Sequence, residues 1–359
     1  MTGRLRVLMT ADAVGGIWTY AAELVRALTD AQVTLAVLGP SPSELQRRQV
    51  GGARLIDTQF ALDWMADTPA QVLAAADALR RLADDIRPDV VHLNSPALAA
   101  GSGGYGAPTL GVCHSCVATW WAAVKSGPLP DDFGWRTRLV REGLASCDLV
   151  AAPSSSFAAA VATTYDAKAV AIYNGRQPRA ASSGPRDPIV FTAGRLWDEG
   201  KNAKTIDRAA ALSRAPVFAA GPLASPDGDA AVGLEHAIPL GCLSSGAVAD
   251  WMARASIFAS AARYEPFGLA VLEAAQAGCA LVLSDIPTFR ELWDGAAQFI
   301  DPADADGFAS AFDQLAADPA EAARRGSLAR TRAARFSADA MAAATLGHYR
   351  RLLRERVAA

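Results

Sequence analysis

Short apolar runs alternate with amphipathic stretches along most of this chain. Residues 5–9 read as a buried strand. The turn Ala13-Val14-Gly15-Gly16 follows, and then Ile17, Tyr20, Ala21, Leu24, Val25 and Leu28 recur at helical spacing along one face. A strand over 33–38, a helix over 71–86, and short apolar strands at 90–93, 109–113 and 149–152 continue the alternation. Between 173 and 189 the pattern breaks: Asn174-Gly175 is a turn signal, and 177–188 is rich in Pro, Ser, Gly and Arg. The alternation then restarts with strands at 189–193, 217–219, 238–240, 257–259 and 280–284, and helices at 205–211, 246–253 and 269–277. A long helix closes the chain over 337–357, with Ser337 placed to cap it and Met341, Ala344, Thr345, His348, Leu352 and Leu353 along its sticky stripe.

Strand–helix alternation of this kind predicts parallel, doubly wound α/β sheets. The chain divides into a first domain over 1–175, a linker over 176–188, a second domain over 189–336 and a terminal helix over 337–359. In such sheets ligands bind beyond the carboxyl ends of the strands. In the first domain those ends are 10–16, Asn94-Ser95-Pro96 and 114–116.

Composition narrows the classes. At 359 residues, two domains are the natural reading, and 51% hydrophobic against 20% charged residues suffices for large cores. The formal charge of −3 argues against a general nucleic-acid binder. No stretch approaches a transmembrane span, and the first residues read as a strand and not as a leader, so a cytoplasmic protein is expected. The cluster Arg350, Arg351, Arg354 and Arg356 leaves room for peripheral contact with the inner face of a membrane, although a solvated helix face is the simpler account. Five scattered cysteines fit reduced thiols. Cys113-His114-Ser115-Cys116 has Cys-x-x-Cys spacing but no second ligand pair, so no metal site is expected.

Three segments carry chemistry. In Glu265-Pro-Phe-Gly-Leu-x-x-x-Glu273 a turn opens directly into an apolar helix. The N–H groups of Gly268 and Leu269 form a positive helix end suited to phosphate, and two carboxylates can accept from sugar or ribose hydroxyls. Gly194-Arg195-Leu196…Gly200-Lys201-Asn202 follows the first strand of the second domain and supplies two cations for a diphosphate. Gly15-Gly16 leaves backbone N–H groups at a helix start, without the spacing of a dinucleotide fingerprint or a P-loop.

Taken in this order, these segments resemble the retaining glycosyltransferases of family 4, the group 1 glycosyltransferases, which share the GT-B fold. The resemblance spans nearly the whole chain and includes Asn174-Gly175 ahead of the linker. It implies two Rossmann-like domains facing across a cleft and a terminal helix that returns to the first domain as a seam. Arg195 and Lys201 would bind the donor diphosphate with the Gly268–Leu269 backbone, alongside Phe267. Glu265 would contact the transferred sugar, Glu273 the ribose, and Gly15 and Gly16 the donor from the other side. His114 matches the family histidine near the transferred sugar. Trp197 and Asp198 stand where the family varies.

The reaction so implied is transfer from a nucleoside-diphosphate sugar, UDP- or GDP-linked, with retained configuration and no obligatory metal or cofactor. The acceptor would be a sugar, a lipid-linked molecule or a small molecule, in glycan, polysaccharide or glycolipid synthesis. Asn94, Tyr105, Trp120 and Trp121 are its candidate contacts, with core packing an equal account of either tryptophan. The rivals are a GT-B-like epimerase or phosphorylase, a Rossmann oxidoreductase, and a non-catalytic sugar-nucleotide-binding protein.

Overall fold

Thirteen strands, all parallel to their neighbours, form two sheets among the residues that this computed structural model describes, 4–101, 103–178, 184–226 and 228–358. The middle of the expected linker, 179–183, lies outside them, as do 1–3, 102, 227 and 359. The chain splits into two compact units, Met1–Gln177 with Ala338–Ala359, and Pro178–Ser337.

In the first unit the strands are β1 (Leu5–Asp12), β2 (Ala31–Leu38), β3 (Arg54–Asp57), β4 (Val90–Leu93), β5 (Thr109–Val112), β6 (Leu149–Ala152) and β7 (Ala169–Ala171). They lie in the order β3-β2-β1-β4-β5-β6-β7. Parallel neighbours require crossovers. These are supplied by α1 (Gly16–Ala27), α2 (Glu44–Gln49), α3 (Pro69–Ile86), α4 (Val117–Val124), α5 (Asp131–Ser146) and α6 (Ser155–Tyr165). The second unit has β8 (Asp187–Ala193), β9 (Val217–Ala220), β10 (Ile238–Gly241), β11 (Ala255–Ser260), β12 (Ala280–Ser284) and β13 (Ala297–Ile300), in the order β10-β9-β8-β11-β12-β13. Its helices are α7 (Ala203–Leu212), α8 (Ser245–Arg254), α9 (Leu269–Ala277), α10 (Pro287–Trp293), α11 (Ala305–Ala317) and α12 (Pro319–Ala333). The last helix, α13 (Ala338–Ala358), returns to the first unit and packs beside α1.

Central strands are buried on both faces, as β4, β5, β6 and β12 show, and these are the runs an apolar count detects. The strands β3, β7 and β13, each at a sheet edge, are only half-buried; β3 and β13 are hidden from that count by polar residues and β7 by its length of three residues. The stripe of α13 also needs correction. Met341, Thr345 and Leu352 are buried as expected, but Ala344 is exposed and Tyr349, absent from the expected stripe, is fully buried. Met341, Ala342, Tyr349 and Leu352 complete an apolar cluster with Leu24, Val7 and Met9. The stripe is thus part of the core of the first unit.

Close backbone approach fixes α5. A Cβ at Gly143 would stand 1.8 Å from the carbonyl oxygen of Pro96, in the one-turn 3-10 segment Pro96–Ala99 that follows β4. Backbone cannot yield as a side-chain tip can, so Gly143→Ala is expected to cost about 1–3 kcal/mol of stability. Chemical denaturation of the two proteins checks this; equal midpoints and slopes would contradict the packing.

Candidate functional site

Strand order reverses twice, between β1 and β4 in the first sheet and between β8 and β11 in the second. At such a reversal the loops leave in opposite directions and open a crevice at the carboxyl ends of the strands. The segments singled out in the sequence fall at these two places.

In the second unit, β8 runs into Gly194 and Arg195. A Cβ on Gly221, after β9, would meet the Gly194 carbonyl oxygen at 1.8 Å, so glycine is required for the two strand ends to lie this close. The loop after Arg195 is held from within: Asp198 accepts from Gly200 N–H at 2.8 Å and pairs with Arg195 at 3.1 Å. It is also held from across the crevice. The Gly200 carbonyl accepts from Arg263 and Tyr264 N–H at 2.9 and 3.2 Å, and Asn202 Nδ2 donates to the Ala261 and Pro302 carbonyls at 2.9 and 2.7 Å. Asn202 adopts the left-handed region, φ 54°, which asparagine tolerates better than most residues.

These staples bring Lys201 Nζ to 2.5 Å from Glu265 Oε2, joining two residues 64 positions apart that the sequence reading had assigned separately. Both side chains are largely shielded, 24% and 16% exposed, whereas Arg195 is 60% exposed. Lys201 is therefore the shielded cation of the two and Arg195 the exposed one. Beyond Glu265, Gly268 caps α9 at φ 92° with no side-chain hydrogen bond to its first N–H groups. A Cβ there would press on Phe289 at 3.2 Å and on Glu265 Cγ at 3.3 Å. A positive helix end, a shielded cation and an exposed cation thus gather in one crevice, an arrangement suited to a diphosphate. Glu273 lies half-buried within α9. Phe267 is different from the expectation: its ring is buried and packs edge-on against Phe336 at 5.7 Å, so it supports the turn from below.

In the first unit, Gly15 caps α1 at φ 82°, again without a side-chain cap, and Gly15 and Gly16 are exposed. His114, just past β5, sends Nε2 to Asn94 Oδ1 at 2.8 Å, and the Tyr20 ring stands edge-on to it at 4.5 Å. Burial pulls the His114 imidazole down to about 3, with His92 adding to the shift, so His114 is neutral at ordinary pH. Asn94 and Tyr105, expected as acceptor contacts, are buried and bonded within the first unit. Asn94 is 4% exposed, and its amide is spent on Thr10 O, His92 and His114. Tyr105 is 4% exposed and donates to Leu98 O at 2.6 Å. Trp120 and Trp121 remain half-exposed on α4, with Trp121 Nε1 bound to the Gly127 carbonyl. The sequence reading missed Asp198, Asn202, Thr10, Tyr20 and His92, all of which hold other residues in place. Thr10 lay in the marked strand end 10–16, and Asp198 and Asn202 in the marked segment from Gly194 to Asn202, but none had been given a role.

Residues 14–179 match the profile of Glycosyltransferase Family 4, and 187–318 that of Glycosyl transferases group 1. The fold is similar to sucrose-phosphate synthase from Thermosynechococcus elongatus, with TM-score 0.76, 17% identity, and 98% and 100% of the two chains covered. It is also similar to HepE from Anabaena in complex with UDP and glucose, with TM-score 0.72, 16% identity, and 96% and 98% coverage. A glycosyltransferase from Rickettsia africae gives TM-score 0.70 at 14% identity, with 98% and 99% coverage. No curated protein sequence matches the chain. The two parallel-sheet units are those of the GT-B class. Among the described residues, no group of three His, Cys, Asp or Glu is placed to hold a metal ion, and no helix is long and apolar enough to cross a membrane.

The cysteines flanking His114 differ in character. Cys116 caps α4 and accepts from Thr119 N–H at 3.5 Å. The Cys113 thiol donating to it, with Thr119 helping, pulls Cys116 down to about 6, while Cys113 is raised by the same bond and by burial. Burial pushes Cys147 up to about 12 and Cys279 to about 11. Cys116 is then more readily ionised than Cys113, Cys147 or Cys279. Its alkylation by iodoacetamide, followed peptide by peptide by mass spectrometry, should level off near pH 7 while Cys147 and Cys279 remain slow. A Cys116 rate still climbing between pH 8 and 9 would contradict the assignment.

Proposed function

Because this chain belongs to the family 4 and group 1 glycosyltransferases, we propose that it moves a sugar from a nucleoside-diphosphate sugar to an acceptor hydroxyl with retained anomeric configuration. The observation that carries the donor class is the gathering of Lys201, Glu265, Arg195 and the uncapped start of α9 at the β8–β11 reversal. The structure of HepE, solved with UDP and glucose, makes a UDP-sugar the first donor to try, with GDP-sugars next.

In this reading the bond from the anomeric carbon to the leaving phosphate breaks as the acceptor oxygen approaches the same face. Negative charge grows on the leaving diphosphate. Lys201, Arg195 and the Gly268–Leu269 N–H groups oppose that charge, so they bind the transition state more strongly than the ground state. Arg195, itself 60% exposed, would give up its ion pair with Asp198, whose carboxylate keeps the Gly200 N–H as a partner. Glu265 is oriented by Lys201 and accepts from hydroxyls of the sugar; Glu273 accepts from the ribose diol. His114, neutral, hydrogen-bonds the sugar, and Gly15 and Gly16 offer N–H groups to the donor. The acceptor proton leaves with the departing phosphate oxygen, so the step needs neither a covalent enzyme intermediate nor a metal. The acceptor, whether sugar, lipid-linked or small molecule, meets the first unit, where Trp120 and Trp121 are the aromatic faces left to receive it. Arg350 and Arg351 are already engaged with Asp30 and Glu355, which favours the solvated reading of that basic cluster over membrane contact.

A thermal-shift panel of UDP-, GDP- and ADP-sugars tests the donor. Binding at 100 times Kd stabilises by about 2.7 kcal/mol. One nucleotide class should raise the melting temperature, and Glu273→Ala and Lys201→Ala should each abolish the rise. Arg195→Ala should lower kcat about 100-fold. Turnover of Arg195→Ala equal to wild type at saturating donor would remove the phosphate assignment. Release of nucleoside diphosphate without an acceptor would favour hydrolysis or epimerisation over transfer.

A further inference from the structure

A line of buried polar groups runs from His114 to the C-terminal helix. Asn94 Nδ2 donates to the Thr10 carbonyl at 2.6 Å, and its backbone N–H donates to Thr10 Oγ1 at 2.8 Å. A carbonyl can only accept, so the Asn94 amide is oriented, and its Oδ1 faces the imidazoles. Oδ1 lies 2.8 Å from His114 Nε2 and 3.2 Å from His92 Nε2. An amide oxygen is an acceptor, so both Nε2 atoms carry hydrogen. His92 Nδ1 is then bare, and Tyr349 OH stands 2.5 Å from it as the donor. His92 and Tyr349 are both fully buried, their rings edge-on at 5.9 Å. The remaining neighbour is Tyr20, whose hydroxyl lies 3.5 Å from His92 Nε2 and whose ring abuts His114.

We propose that Tyr349, on α13, is a positioning residue that fixes the tautomer and orientation of His114 through His92 and Asn94. Its hydroxyl holds the His92 proton on Nε2. Were that proton on Nδ1, a lone pair of His92 would face Asn94 Oδ1, an acceptor against an acceptor, and the amide that holds His114 would be pushed from place. The proton a histidine carries is set by the partner of its other nitrogen, and here the relay sets it twice. His114 is left with Nε2–H engaged and Nδ1 bare. Packing alone does not call for this arrangement, since phenylalanine would fill the same space without a hydroxyl needing a partner. The catalytic half of the proposal rests on the reading of His114 as a residue of the transfer site; the relay itself does not.

The test is Tyr349→Phe, read by the nitrogen-15 shifts of the histidine rings, of which the chain has only 4. In wild type, His92 and His114 should both show protonated Nε2 and bare Nδ1. In Tyr349→Phe, His92 should become a mixture of tautomers and the His114 signals should move. With them kcat should fall about 10- to 100-fold, while the donor-induced thermal shift and donor KM stay unchanged. A protonated Nδ1 on His114 in wild type overturns the proposal, as do His114 signals in the variant that coincide with wild type, whatever the activity. If the variant is too unstable to measure, the wild-type tautomers decide: Nδ1–H on His92 would overturn the relay. If wild type transfers no sugar yet the ring signals respond as described, the transferase reading falls and the relay stands.

Discussion

The second unit depends on how the chain satisfies its backbone where β8 and β11 part. Loops leaving a parallel sheet in opposite directions lose their ladder partners, and buried N–H and C=O groups must find others. Here the Gly200 carbonyl takes two N–H groups from Arg263 and Tyr264, and the Asn202 amide takes the Ala261 and Pro302 carbonyls. These bonds close the start of the crevice and fix its width. The Lys201–Glu265 pair forms because the two loops are already tied one residue to either side. Its charges are partly shielded, so removal of one partner would leave the other poorly solvated, a cost larger than the worth of the pair itself.

Both units repeat one local device. Among the described helices, α1 and α9 begin on a glycine at positive φ, and neither has a side chain bonded to its first N–H groups. Of the other helices, α2, α6, α8, α11 and α12 are capped by Ser43, Ser154, Ser244, Asp304 and Asp318 and α4 by Cys116, while α3, α5, α7 and α10 also start without a side-chain cap but not on glycine. A side-chain cap is worth about 0.5–2 kcal/mol. Forgoing it at the two strand-order reversals keeps the N–H groups there available to an anion. The glycine also turns the chain into the helix without a Cβ, and at Gly268 that absence leaves room for Phe289 and Glu265.

Residue type made some of this legible in the sequence and hid the rest. Mostly apolar runs exposed β4, β6, α9 and β12 with their ends correct, because single polar positions such as His92 and Glu273 do not break a run that is buried on both sides. Glu265, Lys201 and Arg195 could be marked because charge at a strand end is unusual. That Lys201 and Glu265 are partners could not be, since their meeting depends on the staples between two loops. Asn94, Phe267 and Tyr105 were marked as ligand contacts, whereas their side chains are buried against other parts of the chain. A polar or aromatic residue beside a crevice can face it or support it, and one-dimensional pattern does not separate the two. Among the edge strands, β3 and β13 are interrupted by polar residues and β7 is only three residues long, so none of them stands out as an apolar run.

Tyr349 belongs to that hidden class, and its position explains more than the state of a histidine. The apolar face of α13, with Met341, Ala342 and Leu352, packs on a core of similar side chains, and such contacts have little direction. A helix held by them alone could slide by a turn and still bury comparable area. The bond from Tyr349 to His92 admits no such slide, because His92 is fully buried and would be left with an unmet nitrogen, a loss of about 1–3 kcal/mol. A short polar line inside an apolar seam therefore sets the register of the last helix. Because the same line ends on His114, α13 is fixed against the part of the first unit that carries the histidine.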